Sequence, residues 1–451
     1  MSAHQATVRF GGTPGSDTDL VLTPGKNLRY GRNDFQRAFS EPTSLEDDLL
    51  VVAAAVYACD LAFKRGAREH ITRSIHLRIP VVNTQAFARL RDDLEHILYV
   101  LSHDNWTIEF SKRAGTPETS LTWPTKQGTT LLFSGGLDSL AAAVDLLNTQ
   151  GPARVQFASH ITGNQVTRGT QETLTAYLQT KYAASVRRVA LRTGGINHRE
   201  FPFPADQERE ETQRTRSFMF LAIAAIAARR SGHNDVVMIA ENGQMAIHLP
   251  LSAARIGAFS THTAHPEFVH FAQRFFSTVL EHHLTITNPY VYQTKAEVVR
   301  ALTAQHPDAI PLSVSCWRGS RVTSSHHCGD CVPCLVRRIA LEANGVRIKE
   351  YARDLLSNDV SSLPTDDEGK RNLVDLIEFA TTFHSLPPSQ LEFFYPDVFS
   401  QYFDKDAVMN MYHRFSDEAF AVLRRYPSIH PLLPTAPKPP PAKKEQREPR
   451  S

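Results

Sequence analysis

Cysteine, tryptophan and methionine are scarce, with five, three and six copies in 451 residues. So few thiols exclude a scaffold held by many disulfides. Long hydrophobic runs are missing as well. The most apolar stretch, MFLAIAAIAA (Met219 to Ala228), has ten residues before Arg229, about half of the ~20 that span a bilayer, and is expected to be a buried helix. Neither sign of charge dominates: the formal net charge is +2, and the last stretch, Pro434 to Ser451, carries five Lys/Arg against two Glu, leaving the rest at −1. A near-neutral body lacks the many phosphate contacts of sequence-independent nucleic-acid binding, so nucleic acid is not an expected partner of the folded part. The opening MSAHQATVRF has no basic stretch followed by an apolar one, and the cytoplasm is the expected location.

What is present is ordinary globular material, 41% hydrophobic and 21% charged, long enough for two or three domains. Residues 1–125 read as a small accessory α/β domain: strand-like ATVRF and LVLTP; a helix with Leu45, Leu49, Val52, Val56 and Cys59 on one face; a strand SIHLRIPVV; a second helix marked by Phe87, Leu90, Leu94, Ile97 and Leu101; and a strand NWTIEFSKR. From Thr129 strand, turn and helix repeat through TTLLF, RVQFASHITG, RRVALRTG and DVVMIAENG. That alternation predicts a doubly wound parallel sheet over 126–346, with ligands met beyond the carboxyl ends of its strands. A helical segment is expected over 347–433. The tail 434–451, with six prolines, has almost nothing to bury and is expected to be disordered.

The first strand of the repeat runs into TTLLFSGGLDSLAAAVDLL. Gly135 and Gly136 let the backbone turn sharply, and Ser139 with the N–H groups that follow opens a helix whose positive end attracts anions. Ser134 and Ser139 add hydroxyl donors, so Ser134, Gly135, Gly136, Leu137, Asp138 and Ser139 form a candidate phosphate-chain loop. No Lys follows the glycines as it does in GxxxxGK[ST], so this is not a loop that presents a γ-phosphate. Asp138 offers a carboxylate for Mg²⁺. A plain strand-to-helix turn with a Ser N-cap has the same outline.

Downstream, Cys316, Cys328, Cys331 and Cys334 give C-x11-C-x2-C-x2-C. Four thiolates gathered by tight turns read as a closed structural Zn²⁺ site, and an iron–sulfur cluster would take the same ligands. Cys59, on a helix face, reads as core.

The SGGLDS loop after an apolar strand resembles the pyrophosphate loop of the ATP pyrophosphatases. With NPYVYQTKAEVV (Asn288 to Val299), the four-cysteine motif and RRIALEANGV (Arg337 to Val346), the stretch from about 129 to 346 resembles the 7-cyano-7-deazaguanine synthase (QueC-like) family. That resemblance implies an adenine nucleotide alpha hydrolase-like fold and an ATP-dependent C–N ligase. Such an enzyme adenylates the carboxylate of 7-carboxy-7-deazaguanine, releases AMP and pyrophosphate, and forms an amide and then a nitrile. It further implies ATP held by Ser134 to Ser139, Mg²⁺ on Asp138, and Lys295 facing the charge that develops on the phosphates.

Two departures bear on the product. Where the family has an acidic base-pocket segment, this chain has Thr261-His262-Thr263-Ala264-His265. Glu241, at the end of VVMIAENG, either replaces the acidic partner or caps a loop; His262 and His265 are pocket candidates or plain loop histidines. The chain is also long, resembling the QueC-like components of antiphage defence operons such as the Qat system. With no glutaminase-like segment to supply ammonia, and with the extra domain at 1–125, the helical segment after 350 and the basic tail suited to holding a macromolecule, the expectation is a protein partner from the same operon to which the base is conjugated as an amide; a free nitrile product is the alternative. Two other readings stay open: a pyrophosphate-loop enzyme acting on transfer RNA, which would need a catalytic cysteine pair, and a degenerate ATP-binding scaffold.

Overall fold

The computed structural model describes residues 3–11, 19–66, 72–116, 127–161, 164–232, 236–251, 262–318, 326–348 and 351–434. Thr261 and the tail from 435 lie outside them.

The first part of the chain forms β1 (His4–Val8), β2 (Leu20–Leu22), β3 (Leu28–Tyr30), α1 (Arg32–Phe39), α2 (Ser44–Ala62), β4 (Ser74–Val81), α3 (Thr84–Arg89), α4 (Arg91–Ser102) and β5 (Asn105–Lys112). Four of these strands make a parallel sheet in the order β2-β1-β4-β5. The alternation read in SIHLRIPVV appears directly, Ile75, Leu77, Ile79 and Val81 being buried while Ser74 and Arg78 face out. The single helix expected from Phe87 to Leu101 is two. The chain breaks at Leu90, whose N–H bonds back only three residues to Phe87, and Asp92 and Asp93 then sit in the first turn of α4, where acidic side chains favour a helix start.

The second part runs β6 (Thr129–Leu132), α5 (Leu137–Gln150), β7 (Val155–Ile161), α6 (Gln165–Lys181), β8 (Arg187–Gly195), α7 (Arg216–Ser231), β9 (Val236–Met238), α8 (Gly243–Ile247), α9 (Pro266–Val279), β10 (Ile286–Thr287), α10 (Lys295–Gln305) and α11 (Val332–Ala343). The sheet order is β10-β9-β6-β7-β8-β3, the doubly wound α/β arrangement expected. Strands β6 to β10 are parallel. β6 lies where the order reverses, the place at which such sheets take ligands. One face is covered by α5, α6 and α10, whose apolar residues form one core; the other is covered by α7, α9 and α2. The MFLAIAAIAA run is α7, and it is buried nearly throughout. Among the described residues no helix is long and apolar enough to cross a membrane.

Strand β3 comes from the N-terminal part, yet it pairs antiparallel with β8 and closes the edge of the second sheet. α2, almost wholly buried, packs with it, so the N-terminal segment and this sheet share one core. A buried ionic cluster reinforces the joint: Arg73 reaches Asp60 and Asp104, each at 2.5 Å, and Asp60 also accepts from the Thr215 N–H at 2.8 Å, at the start of α7. The segment after 350 is helical as expected: α12 (Glu368–Ser385), α13 (Pro388–Phe394) and α14 (Lys405–Leu423) pack with α11 around a separate core.

Candidate active site

The apolar run of β6 ends at Phe133, still paired to the Ala158 carbonyl, and the chain then turns through Ser134–Gly135–Gly136 into α5. Gly135 has φ +85, and a Cβ there would meet the Thr170 methyl at 2.9 Å, so only glycine fits. The helix opens at Leu137, two residues before the expected Ser139, with Gly136 as an N-cap that offers no side-chain hydrogen bond. The first-turn N–H groups are therefore left for another acceptor, the condition that makes a helix start an anion site. The hydroxyls of Ser134 and Ser139 lie 3.2 Å apart beside it, and Val314, just before Cys316, donates its N–H to the Gly135 carbonyl at 3.1 Å.

Asp138 points from the first turn of α5 to Lys295, the first residue of α10. Lys295 Nζ lies 2.7 Å from Asp138 Oδ1, and Asn242 Nδ2 donates to Oδ2, also at 2.7 Å. Thr294 caps α10 through a reciprocal box with Glu297, and Gln244 Oε1 accepts the Lys295 N–H at 2.9 Å. The C-terminal helix α14 holds the same turn: Thr294 Oγ1 donates to Glu418, and Arg414 Nε donates to Glu297 at 2.7 Å.

Glu241 follows β9 on the same side. Its backbone is gripped by Asn288, which donates Nδ2 to the Glu241 carbonyl at 2.8 Å. The residue is half-buried, but Oε2 has no solvent access and no hydrogen-bond partner among the described residues. Burial first, and then the Asp138 charge, push its carboxyl up to about 7, against the pull of Lys295.

Thus Ser134 to Ser139, Lys295 and Glu241 converge at the carboxyl ends of β6 and β9. The family model described as Queuosine biosynthesis protein QueC matches residues 129–345, the stretch that holds all of them. The chain carries a QueC domain. No curated protein matches the chain.

The four cysteines of the QueC domain are free thiols whose Sγ atoms all lie within 4.8 Å of one another. Individual separations are 3.5 Å for Cys316–Cys328, 3.9 Å for Cys328–Cys334 and 4.0 Å for Cys316–Cys331. A tetrahedron of bonds ~2.3 Å long has edges of ~3.8 Å, so the cluster fits a zinc-sized ion. Gly329 makes the tight turn between ligands: φ is +87, and a Cβ would lie 2.0 Å from the Arg353 carbonyl. The N–H groups of Arg318 and Cys328 donate to Cys316 Sγ, as expected around a thiolate ligand. Arg337, fully buried on α11, ties this element to the loop side by donating to Ser313 Oγ, Ser315 Oγ and the Ile310 carbonyl.

His262 and His265 form a second group. Their rings stack at 5.0 Å, with His103 of the N-terminal segment edge-on to His262 at 5.4 Å and Phe403 edge-on to His265. His265 Nδ1 accepts the Glu267 N–H and caps α9. Burial, and then neighbouring imidazoles, lower His262 to about 2 and His265 to about 4, so both are neutral at pH 7. No described hydrogen bond joins either to Asp138, Lys295 or Glu241.

Asn242, Gln244 and Asn288 were absent from the sequence-based site. The signal was there in ENGQ immediately after a strand end, where Asn242 caps α8 through the Met245 N–H. Only the tertiary fold brings the Asn242 amide to Asp138 and the Gln244 amide to the Lys295 N–H, and sets Asn288 on the Glu241 backbone.

Proposed function

We propose that the protein is an ATP-dependent ligase that adenylates the carboxylate of a 7-deazaguanine, 7-carboxy-7-deazaguanine, with release of AMP and pyrophosphate. The observation that carries the reading is the Lys295–Asp138–Asn242 arrangement beside an N-terminal helix turn without a side-chain cap, inside a domain of the QueC family. The triphosphate lies along Ser134 to Ser139. A carboxylate oxygen of the base attacks the α-phosphorus, the bond to the bridging oxygen of pyrophosphate breaks, and pyrophosphate leaves with the electron pair. Lys295 faces the charge that develops there, and Asp138 with Asn242 fixes its ammonium. Mg²⁺ would be held by Asp138, which keeps lone pairs beyond the two already used. Zn²⁺ on Cys316, Cys328, Cys331 and Cys334 would be structural, a closed site without an open position.

A nitrogen nucleophile then attacks the acyl carbon, and AMP departs. The finer reading is that the nitrogen belongs to a partner protein of an antiviral defence operon, so that the product stops at an amide. Exposed aromatics on the C-terminal segment offer apolar surface to a protein partner: Phe393, Phe394 and Phe399 are 86%, 61% and 63% exposed. On this reading residues 1–125, 126–346 and 347–433 act as accessory unit, catalytic domain and helical support.

The test is ATP–pyrophosphate exchange with 7-carboxy-7-deazaguanine. AMP as the nucleotide product supports the reading, and ADP refutes it. Intact-mass spectrometry of operon-encoded proteins incubated with enzyme, ATP and base tests the conjugation. An unchanged partner mass with free nitrile refutes that part.

A further inference from the structure

Glu241 is the one acidic group of the site whose placement the adenylation step leaves unexplained. Its Oε2 is buried without a hydrogen-bond partner among the described residues, an arrangement that costs free energy unless a ligand completes it. Lys295, the cation that acts on it electrostatically, does not complete it, being held by Asp138 at 2.7 Å. The backbone that carries the carboxylate is held, because Asn288 accepts the Glu241 N–H and donates to the Glu241 carbonyl. Of the three reactants, ATP and the base carboxylate are anions that a second carboxylate near Asp138 repels. The nitrogen nucleophile is the reactant that brings N–H donors and, as an ammonium ion, positive charge. The guanine edge also has N–H donors, but they lie across the bicycle from the reacting carboxyl carbon. Glu241 instead follows β9, the strand next to β6, within electrostatic reach of the Asp138–Lys295 pair beside the candidate phosphate loop.

We infer that Glu241 is the seat of the acceptor amine, its Oε2 accepting a hydrogen bond from the nitrogen that attacks the acyl adenylate. The inference rests on the adenylation reading above. In the step it serves, the nitrogen lone pair forms the C–N bond, the bond from the acyl carbon to the AMP oxygen breaks, AMP leaves with that electron pair, and the surplus proton of nitrogen passes to water. Seated on Glu241, the nitrogen meets the carbonyl in line instead of by random encounter.

Exchange of pyrophosphate needs ATP and base but no nitrogen donor, so it separates the two half-reactions. Glu241→Gln should keep the exchange rate and the KM for base while raising the KM for ammonium by about tenfold to a hundredfold, the loss expected for one charged hydrogen bond. Glu241→Asp, which keeps the charge but withdraws it, should also raise the KM for ammonium without touching exchange. An unchanged KM for ammonium overturns the inference. So does a raised KM for base in exchange, which would make Glu241 a reader of the guanine edge, or loss of exchange with a raised Mg²⁺ requirement, which would make it a metal ligand. If the wild-type protein itself shows no exchange, the adenylation reading fails and this inference falls with it; if only the variants behave otherwise, this inference fails alone.

Discussion

The Asp138–Lys295 pair can be taken apart one charge at a time. Its atoms are 2.7 Å apart, and the two side chains are 11% and 9% exposed, so neither ion recovers much hydration if its partner is removed. Breaking such a pair from one side costs ~3–5 kcal/mol, whereas replacing both partners by neutral groups costs far less, because no unpaired charge remains. Asp138→Asn and Lys295→Met should each lower the melting temperature by roughly 10 °C, taking a few degrees per kcal/mol for a unit of this size. The double variant should melt above the sum of the two losses, with a coupling of ~2–3 kcal/mol. Adenylation behaves differently: each single variant and the double should lose ~10² or more in pyrophosphate exchange, since both charges act on the transition state. Differential scanning fluorimetry and exchange assays on the four proteins make the comparison. Additive melting losses, or an Asp138→Asn protein that melts within 2 degrees of wild type, to take a margin of about 1 kcal/mol, would refute the argument that the charges depend on each other.

The cysteine cluster should hold about one zinc per chain in a colourless protein, and Cys328→Ser or Cys331→Ser should yield metal-poor, poorly soluble protein, as elemental analysis can check; iron with absorbance near ~400 nm would mean a cluster instead. His265 is lowered to about 4 in the fold from an ordinary 6.5, so between those values the unfolded chain takes up a proton that the folded chain refuses. Stability is fully present above pH ~6.5 and should fall on acidification toward 4, by at most ~1.4 kcal/mol per pH unit from this group. His265→Asn, which can still cap α9, should flatten that slope in urea unfolding at pH 7 and 5. A chain starting at residue 127 would lack β3 and α2, which cover β8 and α7, and should be insoluble when expressed; a soluble, monomeric product would contradict the shared core.

How far the sequence reaches is clearest at particular residues. Local chemistry was readable wherever neighbours along the chain suffice: glycines at a strand end, Cys328, Cys331 and Cys334 at the spacing of a thiolate cluster, Ile75 to Val81 alternating across one strand. The α/β class followed from the same periodicities, because burying one face of a strand or helix imposes a repeat of two or 3.6. The break at Leu90 was missed because both helices bury the same face. What no stretch of sequence carries is which distant segments meet. That β3 crosses to the edge of the QueC domain sheet, that α14 props up the Lys295 turn through Glu418 and Arg414, and that Asn242 reaches Asp138 from 104 residues away are decided by packing. The same holds for the departure at the base-pocket segment. Sequence offered Glu241, His262 and His265 as substrate-pocket candidates; tertiary structure put Glu241 within electrostatic reach of Asp138 and Lys295, and set the histidine pair against His103 and Phe403. Residue type fixed what each group can do, and burial with its neighbours fixed which charge it carries and what it can touch.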